Sequence, residues 1–474
     1  MTDSVKDLLR SFHWLILMAM VLVVAGCKIK PDQSRYITDP HGRSLVLHGL
    51  NTSSSAKSAP NRLPWIEEKD VARAANNWGF NFVRFLIFWD RLEPAPGVYD
   101  QQYLAEIAER VRWYAKHNMY VLLDMHQDLY ALQFGGDGAP DWATVTDGLP
   151  VAVRSPWWLT YLELGVTRAF DNFWDGSGSH SYLQQHYANA WQQVAKYFKD
   201  SPNVIGYDLM NEPYGGSSLW PLFEPLKLKP FYDRVISRIR AVDNDTWLFI
   251  EPQAFGVNFG VASTLGVIDD PRQGNSRIVY APHFYPVLVH EGAAYKGNVL
   301  AFKSWPDARV KELNKMKVPL VVGEFGISPN QEGALRFVND VTTMADHMGA
   351  SWAFWSNDPG SWAPTDGEGK ETVLVDGLVR VYPRAVAGQI VSFLYEPNKK
   401  EFTLTFNHNP QITAPTEIYI PARRHFPNGW QIEVKQGMSQ YMTTDWDAVR
   451  EVLKVSFESY QLPRQITLKI KTAG

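Results

Sequence analysis

Eight short apolar runs recur along the chain, and stretches with helical periodicity separate most of them. The runs are continuous rather than alternating, which is typical of parallel strands covered on both faces. Residues 100–118 begin at Asp100 and place Leu104, Ile107, Ala108, Val111 and Ala115 on one face, as a helix packed on a sheet does. Further helices are expected at 67–77, 181–199, 229–242 and 331–347. The predicted strands are 44–51, 80–89, 119–128, 204–213, 246–252, 277–286, 319–326 and 349–358.

Strands that alternate with helices in this way predict an α/β protein, specifically a (β/α)8 TIM barrel over residues 36–390. An open, doubly wound sheet is disfavoured because no Gly-x-Gly-x-x-Gly motif follows the first predicted strand. Polar or aromatic residues also end nearly every run, which is the arrangement found at the mouth of a barrel.

The pattern of apolar residues in the sequence changes near residue 390. Segments such as "EFTLTFNH" (401–408) and "TEIYIP" (416–421) alternate with period two and are separated by turns. This pattern predicts a C-terminal antiparallel β-sandwich over residues 391–474. Because little linker precedes it, we expect the sandwich to dock onto the barrel rather than to act as an independent carbohydrate-binding module.

Residues 1–27 are predicted to be a lipoprotein signal peptide. Lys6 and Arg10 precede the apolar stretch 14–25, which is shorter than the ~20 residues of a membrane span. It leads into "VAGC", which resembles a bacterial lipobox, so lipid on Cys27 and a polar tether at 28–35 are expected. The alternative is an uncleaved N-terminal anchor with an incidental cysteine. The prediction is an exported lipoprotein held at the cell envelope, with the outer membrane favoured, or an extracellular protein.

Composition and motifs exclude several classes of function. The formal net charge of −4 argues against a nucleic-acid partner. No His-x-His or His-Glu-x-x-His spacing occurs near His126 or His283, so no metal is expected. The sequence also lacks a Gly-Lys-Ser/Thr phosphate loop and a Gly-x-Ser-x-Gly elbow. We therefore expect no cofactor. The protein is also expected to act as a monomer.

Residues that follow parallel strands of a barrel share one mouth, and two of them here are carboxylates. Glu212 follows the fourth predicted strand and Glu324 the seventh. Glycoside hydrolysis needs such a pair, because one carboxyl group protonates the leaving oxygen while the other attacks or stabilises the reacting carbon. Pro213 disfavours the helical region for Glu212 and predicts an extended residue presented at the strand end. The other strand-end residues of interest are Arg84, His126, Asp128, Asn211, Glu251, His283, Tyr285 and Trp355.

Three further carboxylates have simpler interpretations. Glu251 is either a substrate contact or part of a structural salt bridge, and the sequence leaves both open. Asp208 lies inside its strand and is expected to hydrogen-bond within the barrel. Glu93 is expected at the surface or in a loop.

Short segments at the strand ends resemble a known family. "LMNEP" (209–213), "GEFG" (323–326), "HFY" (283–285) and "WAFW" (352–355) resemble glycoside hydrolase family 5, whose members are retaining (β/α)8 enzymes. More narrowly, "DMHQD" followed by "GAPDWAT" and "NFW" resembles the endoglycoceramidases, which cut the β-glycosidic bond between an oligosaccharide and ceramide.

This resemblance implies that Glu212 is the general acid/base and Glu324 the nucleophile. Arg84 and Tyr285 would hydrogen-bond the nucleophile, and His283 would lie near the acid/base. The charge of Glu324 is then expected to raise the pKa of Glu212, while Arg84 stabilises the ionised form of Glu324.

The resemblance also implies sugar contacts from Asn211, His126 and Asp128, with Trp355 as the stacking floor. The long connection 129–180 is rich in Trp, Phe and Leu. It is expected to form an apolar wall for the ceramide chains, with a lid over the barrel's flank as the alternative.

The predicted function is a retaining endo-β-glycosidase that acts on glycosphingolipids, at a membrane surface reached through the lipid anchor. Two alternatives stay open. A family 5 β-glucanase or β-glucosidase would share the catalytic residues, and a non-catalytic lipoprotein that binds glycans or glycolipids would share the lipobox and the sandwich.

Overall fold

The computed structural model describes residues 35–297, 299–435, 439–458 and 465–473. Residues 34–474 form one compact unit with its own hydrophobic core, as a domain assembly that folds independently does. The predicted signal peptide 1–27, with Cys27, lies outside the described residues, as does the predicted tether apart from Arg35. Within the described ranges, no helix is both long enough and apolar enough to cross a membrane.

Eight parallel strands form the barrel, preceded by a two-residue strand, β1 (Ser44–Leu45), that joins another sheet. The barrel strands are β2 (His48–Asn51), β3 (Phe82–Ile87), β4 (Tyr120–Met125), β5 (Val204–Asp208), β6 (Trp247–Ile250), β7 (Ile278–Tyr280), β8 (Val321–Phe325) and β9 (Ser351–Phe354). They pair in the order β7-β6-β5-β4-β3-β2-β9-β8, and a parallel bridge between Tyr280 and Leu320 joins the two ends. The predicted barrel is confirmed, and so are its eight strands.

Long helices cover the barrel. Five lie where helical periodicity was expected, whereas Leu164–Phe173 and Ala301–Met316 were not predicted. The long helices are α1 (Glu68–Asn76), α2 (Gln101–Lys116), α3 (Leu164–Phe173), α4 (Ser181–Phe198), α5 (Lys229–Arg240), α6 (Ala301–Met316) and α7 (Ala334–Met348). In α2, Asp100 caps the first turn by accepting from the Tyr103 amide at 2.9 Å, and Leu104, Ile107 and Val111 are buried. The barrel is irregular between β6 and β7, where the connection holds one short helix, Ala254–Val257.

Short helical segments lie mostly in the loops. They are Ser54–Lys57, Trp89–Leu92, Leu132–Phe134, Asp141–Ala143, Trp157–Leu162, Glu224–Leu228, Val287–His290, Leu374–Leu378, Ala422–His425 and Ser439–Tyr441.

Glu93 lies in a loop, which is one of its two expected positions, but it is not at the surface. It follows the short helix Trp89–Leu92 but is fully buried. Its carboxylate accepts hydrogen bonds from the Trp89 indole at 2.8 Å, the Gly97 amide at 2.8 Å and the His186 ring at 2.6 Å. The surface interpretation is wrong, because a buried carboxylate here ties the loop after β3 to α4.

Two antiparallel sheets form the C-terminal sandwich. Its strands are β10 (Tyr382–Val386), β11 (Gly388–Glu396), β12 (Glu401–His408), β13 (Thr416–Tyr419), β14 (Trp430–Val434), β15 (Met442–Asp447), β16 (Val452–Phe457) and β17 (Gln465–Thr472). One sheet has the order β1-β10-β13-β16-β15 and the other β11-β12-β17-β14. On β12, Phe402, Leu404 and Phe406 are buried and alternate with half-exposed residues, as the period-two pattern predicts.

The sandwich contacts the barrel at the end opposite its mouth. His48, the first residue of β2, stacks between Trp352 of β9 and Tyr382 of β10, with ring centroids 4.3 Å and 3.9 Å away. The Tyr382 hydroxyl donates to the Gly79 carbonyl at 2.8 Å, just before β3. Docking of the sandwich therefore leaves the C-terminal ends of the barrel strands uncovered.

A buried ion pair also holds the sandwich to the barrel. Arg380 donates to the carboxylate of Asp346 in α7 at 2.5 Å, and the Tyr395 amide donates to the same oxygen at 3.0 Å. Both charged side chains are almost fully buried. Burial raises the pKa of Asp346 to about 6 despite the lowering effect of Arg380.

Replacement of Arg380 by Met should destabilise residues 34–474 by about 3–5 kcal/mol at pH 8, because it leaves the Asp346 carboxylate buried without a cation. The loss of stability should be smaller at pH 5. That pH is below the pKa of Asp346 in the folded protein, so the carboxyl group is mostly protonated and can be buried as the neutral acid. Guanidinium unfolding at the two pH values measures both effects. Lys399→Met is the matched control, because its side chain is 64% exposed, that of its partner Glu396 is 41% exposed, and such an ion pair is worth at most about 1 kcal/mol. Equal losses for both variants would contradict the assignment.

Candidate active site

A buried guanidinium lies beneath the barrel mouth. Arg84 of β3 is fully buried and donates to Asp208 at 2.8 Å, Glu324 at 2.7 Å and Glu251 at 2.9 Å. Asp124 of β4 lies 3.0 Å from the same guanidinium. Asp208 is thus an interior partner, as expected, and Glu251 belongs to a structural ion-pair network rather than to the free wall of the mouth.

Glu324, at the end of β8, has both carboxylate oxygens engaged. One oxygen accepts from Arg84 and the other accepts from the Tyr285 hydroxyl at 2.9 Å. Two fixed donors hold the carboxylate in one orientation, so one face of it can be presented to a ligand without reorganisation.

The backbone at Glu212 differs from the prediction. Its φ is +44°, in the left-handed region, so the expectation of an extended residue before Pro213 is wrong. Surrounding hydrogen bonds hold this conformation: Gln127 Nε2 donates to the carbonyls of Asn211 at 2.9 Å and Glu212 at 3.1 Å, and the Glu212 amide donates to Glu251 at 2.9 Å. The strained residue is therefore over-determined by its neighbours, which is a common feature of functional sites.

The side chain of Glu212 meets that of His283. Its Oε1 accepts from Asn258 Nδ2 at 2.7 Å and lies 2.8 Å from His283 Nδ1. The other ring nitrogen of His283 lies 3.2 Å from Glu251. One oxygen of Glu212, one of Glu324 and a ring nitrogen of His283 all lie within 4.8 Å of one another.

This separation has a chemical meaning. Carboxyl groups about 5 Å apart permit direct attack on a sugar carbon, whereas a gap of about 6.5–9.5 Å accommodates a water molecule between them. The same three side chains have the spacing of a metal site among the described residues. However, Arg84 and Tyr285 already donate to both oxygens of Glu324, so the cluster is better suited to acid–base chemistry than to binding a cation.

The pKa directions are the reverse of those expected. Burial acts to raise the pKa of Glu212, but the hydrogen bond and positive charge of His283 outweigh it and lower the pKa. Burial raises the pKa of Glu324 more than His283 and Arg84 lower it. Glu251 and Glu324 hold the pKa of His283 well above its usual range against the effect of burial. The expectation for Glu212 considered two carboxylates and left out the imidazolium between them.

A second polar cluster lies on one side of the mouth. His126 Nδ1 lies 2.7 Å from a carboxylate oxygen of Asp124, and the His126 ring stacks on Trp355 with ring centroids 5.5 Å apart. Lys57 Nζ lies 2.5 Å from Asp128 and 4.3 Å from the centre of the Trp355 ring. Burial acts to raise the pKa of Asp128, but Lys57 and His126 lower it well below its usual range. The predicted residues His126, Asp128 and Trp355 are thus brought together.

Sequence reasoning missed three polar residues of the site. Lys57 follows the first barrel strand and Asn258 follows the fifth, and neither stands in a recognisable motif. Asp137 could have been noticed, because it directly precedes "GAPDWAT". It exchanges backbone hydrogen bonds with Asp128, and burial raises its pKa to about 7, with the charge of Asp128 adding to the effect.

The cavity at the mouth has a volume of about 620 Å³ and two unlike sides. Its polar side consists of Lys57, His126, Asp128 and Trp355, which come from the loops after β2, β4 and β9. Its apolar side comes from the connection 129–180 and from the loops after β6 and β7. The apolar lining consists of Leu129, Leu132, Trp157, Tyr161, Phe255, Phe259 and Val287. Glu212 and Glu324 line the same cavity.

The connection 129–180 contributes to both the cavity and the core. The Tyr161 ring contacts that of Phe255 at 5.5 Å, and its hydroxyl accepts from the Leu129 amide at 3.0 Å, which fixes the apolar wall. Farther along, Phe170 and Phe173 of α3 are buried in the barrel's core. The segment is therefore both a wall of the cavity and a covering of the flank.

A (β/α)8 barrel that brings two carboxylates this close together at its mouth defines a retaining glycoside hydrolase. The chain belongs to glycoside hydrolase family 5: residues 38–361 match Cellulase (glycosyl hydrolase family 5), and residues 380–470 match the glycoside hydrolase family 5 C-terminal domain. The family predicted from the sequence is confirmed.

Similar proteins share nearly the whole length of the chain. An endoglycoceramidase from Hydra vulgaris is 26% identical over 89% of this chain and 86% of its own. Endoglycoceramidase I from Rhodococcus hoagii is 28% identical over 85% and 81%. Among solved structures, endo-glycoceramidase II from Rhodococcus sp. is 43% identical over 93% of this chain and 100% of its own, with a TM-score of 0.85. That protein has also been solved with ganglioside GM3 and as a lactosyl-enzyme intermediate.

Proposed function

We propose that this protein is an endoglycoceramidase, which hydrolyses the β-glycosidic bond between the oligosaccharide and the ceramide of glycosphingolipids with retention. The observation that carries the proposal is the cavity, whose lining combines a polar cluster and an apolar cluster with the Glu212–Glu324 pair. A substrate that is sugar at one end and lipid at the other matches this division. A polysaccharide would leave the apolar side without a partner.

Glu324 is the nucleophile in this proposal. A carboxylate oxygen attacks the anomeric carbon, the bond from that carbon to the ceramide oxygen breaks, and a glycosyl ester of Glu324 forms. Arg84 and Tyr285 hold the carboxylate in the attacking position. The fixed orientation lowers the entropic cost of the attack.

Glu212 is the general acid/base. It donates a proton to the departing ceramide oxygen, and in the second step it takes a proton from water as the water attacks the glycosyl ester and frees Glu324. Burial acts to raise the pKa of Glu212, but the hydrogen bond and positive charge of His283 lower it. The 2.8 Å contact between His283 Nδ1 and Glu212 Oε1 is the path by which the two groups exchange a proton in this proposal.

The polar cluster binds the sugar next to the cleaved bond. Asn211 has Oδ1 bound to Arg84 and Nδ2 donating to Gln127, which leaves one Nδ2 hydrogen for a hydroxyl. Asp128 accepts hydroxyl hydrogens beside His126, and the ring of Trp355 stacks on the sugar face.

We also propose that the N-terminus anchors the enzyme to the bacterial cell envelope through lipid on Cys27, with the outer membrane favoured. The support is the order of features in the sequence: two basic residues, a short apolar stretch and "VAGC". An anchor at a membrane suits an enzyme whose substrate is itself a membrane lipid.

Purified residues 34–474 should release intact lactose and free ceramide from lactosylceramide in mild detergent. Glu212→Gln should lower the rate by about 10²–10⁴-fold, because it removes the proton donor, and Glu324→Gln should abolish turnover. Chromatography and mass spectrometry of the products measure both. Glu368→Gln, at an exposed position, is the matched control. Cleavage of cellopentaose without any cleavage of lactosylceramide would instead make the protein a β-glucanase.

Replacement of His283 by Gln should move the whole pH profile of kcat/KM to higher pH. Loss of the cation raises the pKa of Glu212, which must be protonated, and of Glu324, which must be ionised, so both limbs shift upward. The profile on detergent-dispersed lactosylceramide is the measurement, with exposed His347→Gln as control. Unchanged limbs, or a shift to lower pH, would show that His283 does not control the two carboxyl groups.

Full-length protein made in a bacterial host should incorporate labelled fatty acid and sediment with membranes, whereas Cys27→Ser should do neither. Cys27 is the only cysteine, so no other thiol can take the label. Membrane-bound but unlabelled wild-type protein would support the uncleaved anchor.

A further inference from the structure

Beside the cavity, the loop after β5 exposes apolar side chains in direct succession. Leu219, Trp220 and Leu222 are 75%, 52% and 60% exposed, and Leu226 is 63% exposed. Val261, in the neighbouring loop after β6, is 44% exposed. Scattered exposed apolar residues need no explanation, but a contiguous group of this size on a folded surface marks an interaction site. We call these five residues the apolar ledge.

The ledge is held rigidly. Glu224, fully buried beneath it, accepts from the Gln253 amide at 3.0 Å, the Ser263 hydroxyl at 2.9 Å and the Thr264 hydroxyl at 2.8 Å. Trp220 Nε1 donates to the Ala262 carbonyl at 3.1 Å. The two loops therefore form one fixed surface, so little conformational entropy is lost when the ledge binds a partner.

The ledge is continuous with the apolar side of the cavity. Val261 lies two residues from Phe259, which lines the cavity, and Phe255 extends the lining to Tyr161 at 5.5 Å. Both phenylalanines are partly exposed, at 40% and 37%. Val261 also lies against Gly256, next to Phe255, so the ledge and the apolar part of the cavity lining are neighbours in the loop after β6.

The chemistry of the ledge matches a lipid surface rather than a protein groove. The ring N–H of Trp220 is already paired with the Ala262 carbonyl, so the tryptophan and the leucines expose apolar surface, which suits insertion at the boundary of the acyl region of a bilayer. Lys227 and Lys229 follow within one turn. Each ammonium group donates to one backbone carbonyl, at 3.4 Å and 2.7 Å, and Lys229 lies 4.0 Å from Asp233, which leaves further N–H groups of both lysines for lipid phosphates.

We propose that the apolar ledge docks onto the phospholipid bilayer in which the glycosphingolipid is embedded, so that ceramide passes along Val261, Phe259 and Phe255 into the cavity without entering water. This proposal rests on the proposed function, since it assigns the apolar side of the cavity to ceramide. It makes the orientation of the barrel mouth toward the membrane a property of residues 34–474, independent of any lipid on Cys27.

The first test measures binding without substrate or anchor. Residues 34–474 are mixed with phosphatidylcholine vesicles that contain no glycolipid, and bound protein is separated by flotation. The unaltered protein should bind, and the double variant Leu219→Ser/Leu222→Ser should partition at least tenfold less. Val449→Ser, which removes an equally exposed apolar side chain from the sandwich, should bind like the unaltered protein. Equal binding by the double variant, or no binding by the unaltered protein, overturns the proposal.

The second test separates docking from catalysis. The double variant should lose at least tenfold in kcat/KM on lactosylceramide embedded in the vesicles and keep its activity on the same lipid in detergent micelles. Equal loss on both substrates would make the ledge part of the substrate site or the fold and overturn docking. Sedimentation velocity would do the same if the unaltered protein were a dimer and the double variant a monomer. If the unaltered protein fails to cleave lactosylceramide in micelles, the proposed function fails, while the flotation result stands by itself.

Discussion

The burial of the Arg84 guanidinium beneath the barrel mouth is the interaction on which the rest of the site depends. A buried cation is tolerated only with close counter-charges, and Asp124, Asp208, Glu251 and Glu324 supply them from four different strands or strand ends. Because each carboxylate also has a fixed place on its strand, the ion pairs align the ends of β3, β4, β5, β6 and β8. The position of Glu324 in the mouth is a consequence of this alignment.

The same network extends to the second carboxylate through Glu251. Its two oxygens bind Arg84 and the backbone amide of Glu212, and its charge helps to keep the His283 ring protonated. Glu212 is therefore linked to the buried charge of Arg84 through Glu251 for its backbone, and through His283 and Glu251 for its side chain. The charge of His283 acts to lower the pKa of both Glu212 and Glu324, so the relative pKa values of the pair depend on this ring as well as on the two carboxylates.

Much of the fold and of the site could be predicted from residues and their spacing. The eight continuous apolar runs predicted the barrel, because parallel strands covered on both faces are apolar along their whole length. The ends of these strands then brought together Glu212, Glu324, Arg84, His283 and Tyr285. Asp208 was predicted to be an interior residue for the same reason. Glu93 lies in a loop, as one of its two predicted positions has it, but its burial was not predicted, because a carboxylate in a loop gives no sign that a Trp, an amide and a His will surround it.

The sequence by itself determined which strand ends carry carboxylates, since strands that alternate with helices form a parallel barrel in which every strand ends at the same mouth. The tertiary structure alone decided the conformation of Glu212, where hydrogen bonds from Gln127 and to Glu251 override the local preference of a residue before proline. It also decided the contacts of Lys57 and Asn258, which come from loops whose paths depend on what they pack against. The relative pKa values of Glu212 and Glu324 were also decided by the tertiary structure, because they depend on distances between side chains that are far apart in the chain.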